Sequence, residues 1–325
     1  MGTGVRLVVG TGGFAAWQTD DFGETWQRSP AEGGIYPECR VWGVVSDRTD
    51  PKRLFIGTDI GVYTWIDAQA RWQHLPSVLD RSPVWVLEQS PHDPNAFIAG
   101  TQNPAALFLS KDRCRSWERL DVEFADSCAL VGSPRVTHVL FDPIDPLTIW
   151  AGVEIDGAHR STDGGRTWKR ISEGLLSEDL HYLAHVNAGG RRKLFATTNK
   201  GLHKSYDGGD SWIPVPLDTP WPFLRELAVA EDNSGVMFLC NGNGPPGSSG
   251  KLLISRDWGD TWSPASLPTT PNSTLWSIAT NAADPNLIFV CSNLGEIYRT
   301  HDKGETWIKQ ARELGEIRKI VWFPI

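Results

Sequence analysis

No basic run, no long apolar stretch and no Cys-x-x-Cys pair occurs in these 325 residues. A formal charge of -8 without a basic patch argues against nucleic acid as the main partner, since phosphate binding needs clustered Lys and Arg. A membrane-spanning helix needs about 20 apolar residues in succession, so no membrane partner is expected. The opening "MGTGVRLVVGTGG" lacks the basic start and long apolar run of a secretion signal. The cysteines Cys39, Cys114, Cys128, Cys240 and Cys291 are odd in number and unclustered. That favours reduced thiols and a cytoplasmic setting over a disulfide framework or a thiolate metal site. Neither a P-loop, a nucleophile elbow nor HExxH is present, and the glycines of "GTGVRLVVGTGG" precede no helical pattern, so no cofactor and no metal are expected.

What is abundant is tryptophan, sixteen in all, and an octapeptide that keeps returning. "TDDFGETW" ends at Trp26, "STDGGRTW" at Trp168, "SYDGGDSW" at Trp212, "SRDWGDTW" at Trp262 and "THDKGETW" at Trp307. Two eroded copies end at Trp72 and Trp117, the second with Cys114 in place of Gly. Their spacing of about 45 residues is the period of one propeller blade. Between copies a short apolar strand such as "VWGVVSD" is followed by a turn, then "RLFIGT", "GVYTW", the octapeptide and a last strand such as "RWQHL". Four short strands per period predict an antiparallel blade. Innermost strands are expected to begin near Val41, Val84, Val136, Leu180, Leu224, Leu275 and Ile317. The final "IRKIVWFPI" is a first strand without followers, and the opening "VRLVVGT" is a second strand without a leader. Pairing them closes the sheet edge. The expectation is an all-β, single seven-bladed β-propeller over residues 1–325.

The octapeptide falls in the hairpin between third and fourth strands. Its Ser/Thr and Asp bond the local backbone as in an Asx-turn, Gly supplies a positive φ, and Trp fills the seam between blades. Acidic loops can also hold calcium, but here the Asp is consumed by its own turn. The octapeptide resembles the Asp-box (bacterial neuraminidase) repeat, seen in sialidases, sortilins, xyloglucan-degrading enzymes and a photosystem II assembly factor. The resemblance covers essentially the whole chain and implies the propeller fold. The sialidases' Arg-Ile-Pro motif is absent here, and xyloglucanases of this type resemble two facing propellers where this length suffices for one. Neither activity therefore transfers residue by residue.

The irregular loops, "AEGGIYPEC" at 31–39, "DVEFADSCALVGSP" at 121–134 and "NGNGPPGSSG" at 241–250, all fall on the face opposite the octapeptides. Insertions concentrated on one face mark the binding face of a repeat fold. One position into each innermost strand stand Trp42, Trp85, Thr137, His181, Arg225, Trp276 and Arg318, a ring at the mouth of a central channel. The next position adds His138, Tyr182, Glu226 and Lys319. Loops and second strands at the same mouth bring Arg40, Asp59, Asn103, Arg135, Glu154, Asn241 and Asn293. A pocket half aromatic and half ionisable suits a small or sugar-like ligand with an anionic end. The expected function is a small-molecule or carbohydrate-directed hydrolase or lyase. In it His181 acts as acid or base, Glu154 or Glu226 orients it, and Arg225 holds an oxyanion. The alternative is a non-catalytic binding or assembly propeller.

Overall fold

The apolar runs pair with the runs that follow them, and each pair extends outward into one of seven four-stranded antiparallel sheets. The computed structural model describes residues 4–125, 127 and 132–325. Among these there is no α-helix, only short 3-10 turns at Ala31–Gly33, Asp67–Gln69 and Val78–Arg81. Cys128 and part of the 121–134 insertion lie outside the described residues. The first blade shows the plan, with Val41–Ser46, Leu54–Thr58, Gly61–Ile66 and Arg71–Leu75 following one another from channel to rim. Each innermost strand touches those of both neighbouring blades, and the last of them, Ile317–Pro324, touches Val41–Ser46. The seven blades therefore form a closed β-propeller. The closing blade is built from both ends of the chain: Ile317–Pro324 pairs with Val5–Thr11, Leu7 opposite Trp322 and Val9 opposite Ile320.

Blade contact depends on glycines that sequence reading overlooked. Gly57 lies in a second strand, and a Cβ there would sit 2.7 Å from Val84, the first residue of the next innermost strand. Gly10 meets Val41 in the same way, again at 2.7 Å. Hydrogen in place of a methyl lets adjacent blades close, and the apolar core lies in the seams so formed.

The octapeptides staple their hairpins as expected. Asp163 accepts from the backbone N–H groups of Arg166 and Thr167 and from the Thr167 hydroxyl at 2.6 Å, while Ser161 Oγ accepts from Gly165. The hydrogen bond from Thr167 leads in lowering the Asp163 carboxyl to about 2. These oxygens are spent on the turn. Gly259, at φ +79°, presses against Phe195 of the preceding blade, where a Cβ would lie 2.5 Å from the ring. The tryptophans are less uniform than expected. Trp72 and Trp212 are buried and donate across the seam, to Ser29 Oγ and to the Ile171 carbonyl. Trp26, Trp168 and Trp262 are only half-buried, and each indole N–H returns to the glycine carbonyl of its own turn. The four described cysteines are all buried and free.

Candidate functional site

Each innermost strand begins regularly and then slips. The ladder skips from Val41 to Gly43, Val84 to Val86, Val136 to His138, Leu180 to Tyr182 and Leu275 to Ser277. The closing blade skips from Ile317 to Lys319, and the fifth from Leu224 to Leu227. The residues passed over are Trp42, Trp85, Thr137, His181, Trp276, Arg318 and the pair Arg225–Glu226. A bulge leaves its extra residue out of the ladder and re-aims the side chain. Repeated in every blade, it turns all seven expected ring residues onto one cavity of about 100 Å³ at the channel mouth.

The rings and guanidiniums of this mouth stack on one another. Trp42 and Trp85 are parallel at 4.1 Å. Arg135 covers the outer face of this pair on Trp85 at 4.1 Å, Arg318 lies 4.9 Å from Trp42 and 5.4 Å from Trp276, and Arg225 covers Trp276 at 3.8 Å. Aromatic faces expected to meet a ligand are thus occupied by Arg. What they leave is polar edges: the indole N–H groups of Trp42 and Trp85 and the Nε–H groups of Arg135 and Arg318 are buried without a partner among the described residues.

The acids beside this stack are partly spoken for. Glu154 accepts from Arg135 at 2.5 Å through one oxygen, its other oxygen is unpartnered, and burial raises its carboxyl. His181 is enclosed. Its Nδ1 lies 2.5 Å from the Leu224 carbonyl and its Nε2 3.3 Å from Asp179, a carboxylate missed in the sequence. Burial, then the charge of Arg225, holds the imidazole below its ordinary range despite Asp179. Nδ1–H donates to the Leu224 carbonyl, so in the neutral ring Nε2 keeps its lone pair beside Asp179 without a hydrogen bond to it. His138 is also driven well down by burial and stacks 3.7 Å from Tyr182.

Deeper in, the channel narrows and opens again into a chamber of about 660 Å³ on the octapeptide side. Glu88, Tyr182, Glu226 and Lys319 line both cavities and so form the waist. Lys319 donates to Glu226 at 2.7 Å. Glu88 was not among the expected residues, although a signal for it existed. Two residues beyond the His138–Tyr182–Glu226–Lys319 level, the blades present Val45, Leu140, Ala184, Ala228, Ala279 and Val321, all lining the chamber, and Glu88 alone is ionisable there. Its nearest cation is Arg48 at 3.9 Å, and about a third of its side chain (32%) opens on the lumen. The other six blades are apolar at this level, and burial raises the carboxyl to about 7.

Several expected site residues stand elsewhere. Asp59 is turned into its loop, accepting from the Tyr36 hydroxyl at 2.6 Å and facing Cys39 Sγ at 3.4 Å. Asn241 is fully buried and spent on Thr219 and the carbonyls of Trp221 and Phe223. Asn293 is buried beside the mouth but does not line it. Asn103 is an exposed turn residue at φ +57°, and Arg40 is exposed on the rim. Second-strand ends face the loops because the bulge, which re-aims residues inward, belongs to the first strand only. Among the described residues no group of acids, His and Cys is arranged to hold a metal ion.

A xyloglucanase from a Paenibacillus species is 24% identical over a 336-residue alignment that covers 88% of this chain and 32% of the enzyme. The solved GH74 enzyme of Niastella koreensis superposes with a TM-score of 0.67 at 18% identity, over 93% of this chain and 46% of that one. YCF48 from Cyanidioschyzon merolae superposes with a TM-score of 0.59 at 15% identity, over 83% and 85% of the two chains. The likeness is one of fold. No family model matches the chain. The chain spans about a third of the curated xyloglucanase (32%) and less than half of the solved GH74 enzyme (46%).

Proposed function

We propose that the protein is a carbohydrate-directed hydrolase whose channel accepts a small glycoside, with Glu88 and Glu226 as its acid and base. The observation that carries this reading is the waist, where these two carboxyl groups open on both cavities. Glycoside hydrolysis needs two carboxyl groups in different environments, one able to keep a proton. The apolar collar lets Glu88 do so near neutral pH. Glu88 gives its proton to the departing glycosidic oxygen as the C–O bond breaks. Water adds to the anomeric carbon and passes a proton to Glu226, which releases it to solvent as Glu88 takes one up from solvent. Arg225 anchors the ligand. Glu154 and His181 position Arg135 and Asp179 around it. Similarity to a xyloglucanase supports a sugar as the ligand class.

Release of product from aryl glycosides and xyloglucan oligosaccharides tests the reading. Turnover by the natural protein is expected, with a limb falling above about pH 7, and Glu88→Gln should lose about 10²–10⁴-fold. Absence of turnover on every glycoside, or a fully active Glu88→Gln, refutes it. A second reading, an assembly module, draws on five exposed apolar side chains, Phe14, Ile60, Val78, Leu176 and Leu294, that all lie in mouth-face loops. It predicts no turnover and a silent Glu88→Gln.

A further inference from the structure

We infer that the channel mouth is a carboxylate-binding subsite, so that the ligand of this channel is an acidic sugar. The inference rests on the mouth being the ligand's entry, as proposed above, and is independent of the chemistry at the waist. Buried polar atoms without partners are rare in folded proteins, because each forfeits its hydration for nothing. Among the described residues several such atoms lie about the mouth. Unsatisfied donors, Trp42 Nε1, Trp85 Nε1 and Arg318 Nε, belong to blades on one side of the mouth. Unsatisfied acceptors, Glu154 Oε2, Asp179 Oδ1 and Asn199 Oδ1, belong to blades on the other, together with one further donor, Arg135 Nε. One ligand with a carboxylate at one end and hydroxyls at the other satisfies both sets.

Charge points the same way. Arg225 and Arg318 both line the cavity, and their pKa values are pushed down by burial first and then by neighbouring guanidiniums, Arg135 acting on both and Arg40 and Arg225 on Arg318. The guanidiniums stack on indoles, and Arg135 and Arg318 are also paired with Glu154 and Glu316, whereas Arg225 has no carboxylate in ion-pair contact among the described residues. An anion entering between Arg225 and Arg318 relieves this repulsion and gains charge-assisted hydrogen bonds. A neutral sugar relieves nothing. The cavity of about 100 Å³ admits the carboxylate and the carbons next to it, leaving the remaining hydroxyls at the rim.

Calorimetric titration of the full chain with D-glucuronate, D-glucose and inorganic phosphate tests the assignment. Glucuronate is expected to bind at least about 10-fold more tightly than glucose, from one to two charge-assisted hydrogen bonds. Trp42→Phe and Trp85→Phe keep the stacked ring and delete the N–H, so each should fold normally and bind glucuronate about 5–10-fold more weakly. Arg318→Gln should lose about 10–100-fold. Equal affinity for glucose and glucuronate, tighter binding of phosphate, or undiminished binding by both Trp variants would overturn the assignment, as would binding of none of the probes. Glucuronate binding without turnover of any glycoside sinks the hydrolase reading alone. Turnover of neutral glycosides with no glucuronate binding sinks the carboxylate subsite alone.

Discussion

Replacing Glu88 with Gln is expected to stabilise the protein at alkaline pH while removing the group proposed to be its acid. The folded-state carboxyl stands at about 7 against an ordinary 4.5. Below the ordinary value Glu88 is protonated in folded and unfolded chains alike and contributes nothing to the pH dependence. Between the two values the folded state binds more protons than the unfolded state, so stability falls as pH rises, and above about 7 the full penalty is present. The shift corresponds to about 3 kcal/mol. Because the side chain opens on a lumen that can hold water (32% exposed), about 1.5–2 kcal/mol is the more realistic figure. The Arg48 contact at 3.9 Å is too long and too exposed to offset it. His138 and His181, held neutral by burial, push stability the other way as pH falls below their ordinary range. The difference between variant and natural protein cancels their contribution. Urea unfolding at pH 5 and pH 8, compared at equal slope, should show Glu88→Gln near neutral at the lower pH and more stable by about 1.5–2 kcal/mol at the higher. A variant equally or less stable at pH 8 would refute the view that Glu88 is a desolvated carboxyl.

Two further outcomes test the architecture. Trp212→Ala removes a buried indole and orphans the Ile171 carbonyl, and should cost about 3–5 kcal/mol, whereas Trp168→Ala removes a half-buried ring bonded to its own turn and should cost about half as much. Equal losses in denaturant titrations would show that position in the octapeptide, not burial, sets the cost. Gly57→Ala should destabilise by about 1–3 kcal/mol, because its Cβ would meet Val84 of the next blade at 2.7 Å; an unchanged melting temperature would mean that blades can shift apart freely.

Strand order, blade count and closure were legible in the sequence because they are set by short-range chemistry. Turn residues and apolar alternation repeat with the blade, and the intact octapeptides close on their own backbone. The ring positions were legible for the same reason, since each follows the first apolar residue of an innermost strand. What these side chains do was decided only in three dimensions. The register slip that re-aims Trp42, His181 and Arg318 depends on pairing with the second strand, and their neighbours come from other blades: Trp85 stacks on Trp42, Arg318 reaches Trp276, and Lys319 meets Glu226 across the channel. Asn241 and Asp59 were misplaced because a polar residue at a strand end reads alike whether it faces a ligand or satisfies its own loop. Glu88 passed unnoticed because the force on it comes from Val45, Leu140, Ala184 and Val321 of other blades, which no local pattern brings together. Local periodicity specifies where a residue stands along its strand; its ionisation and its partners follow from the ring that the strands close around it.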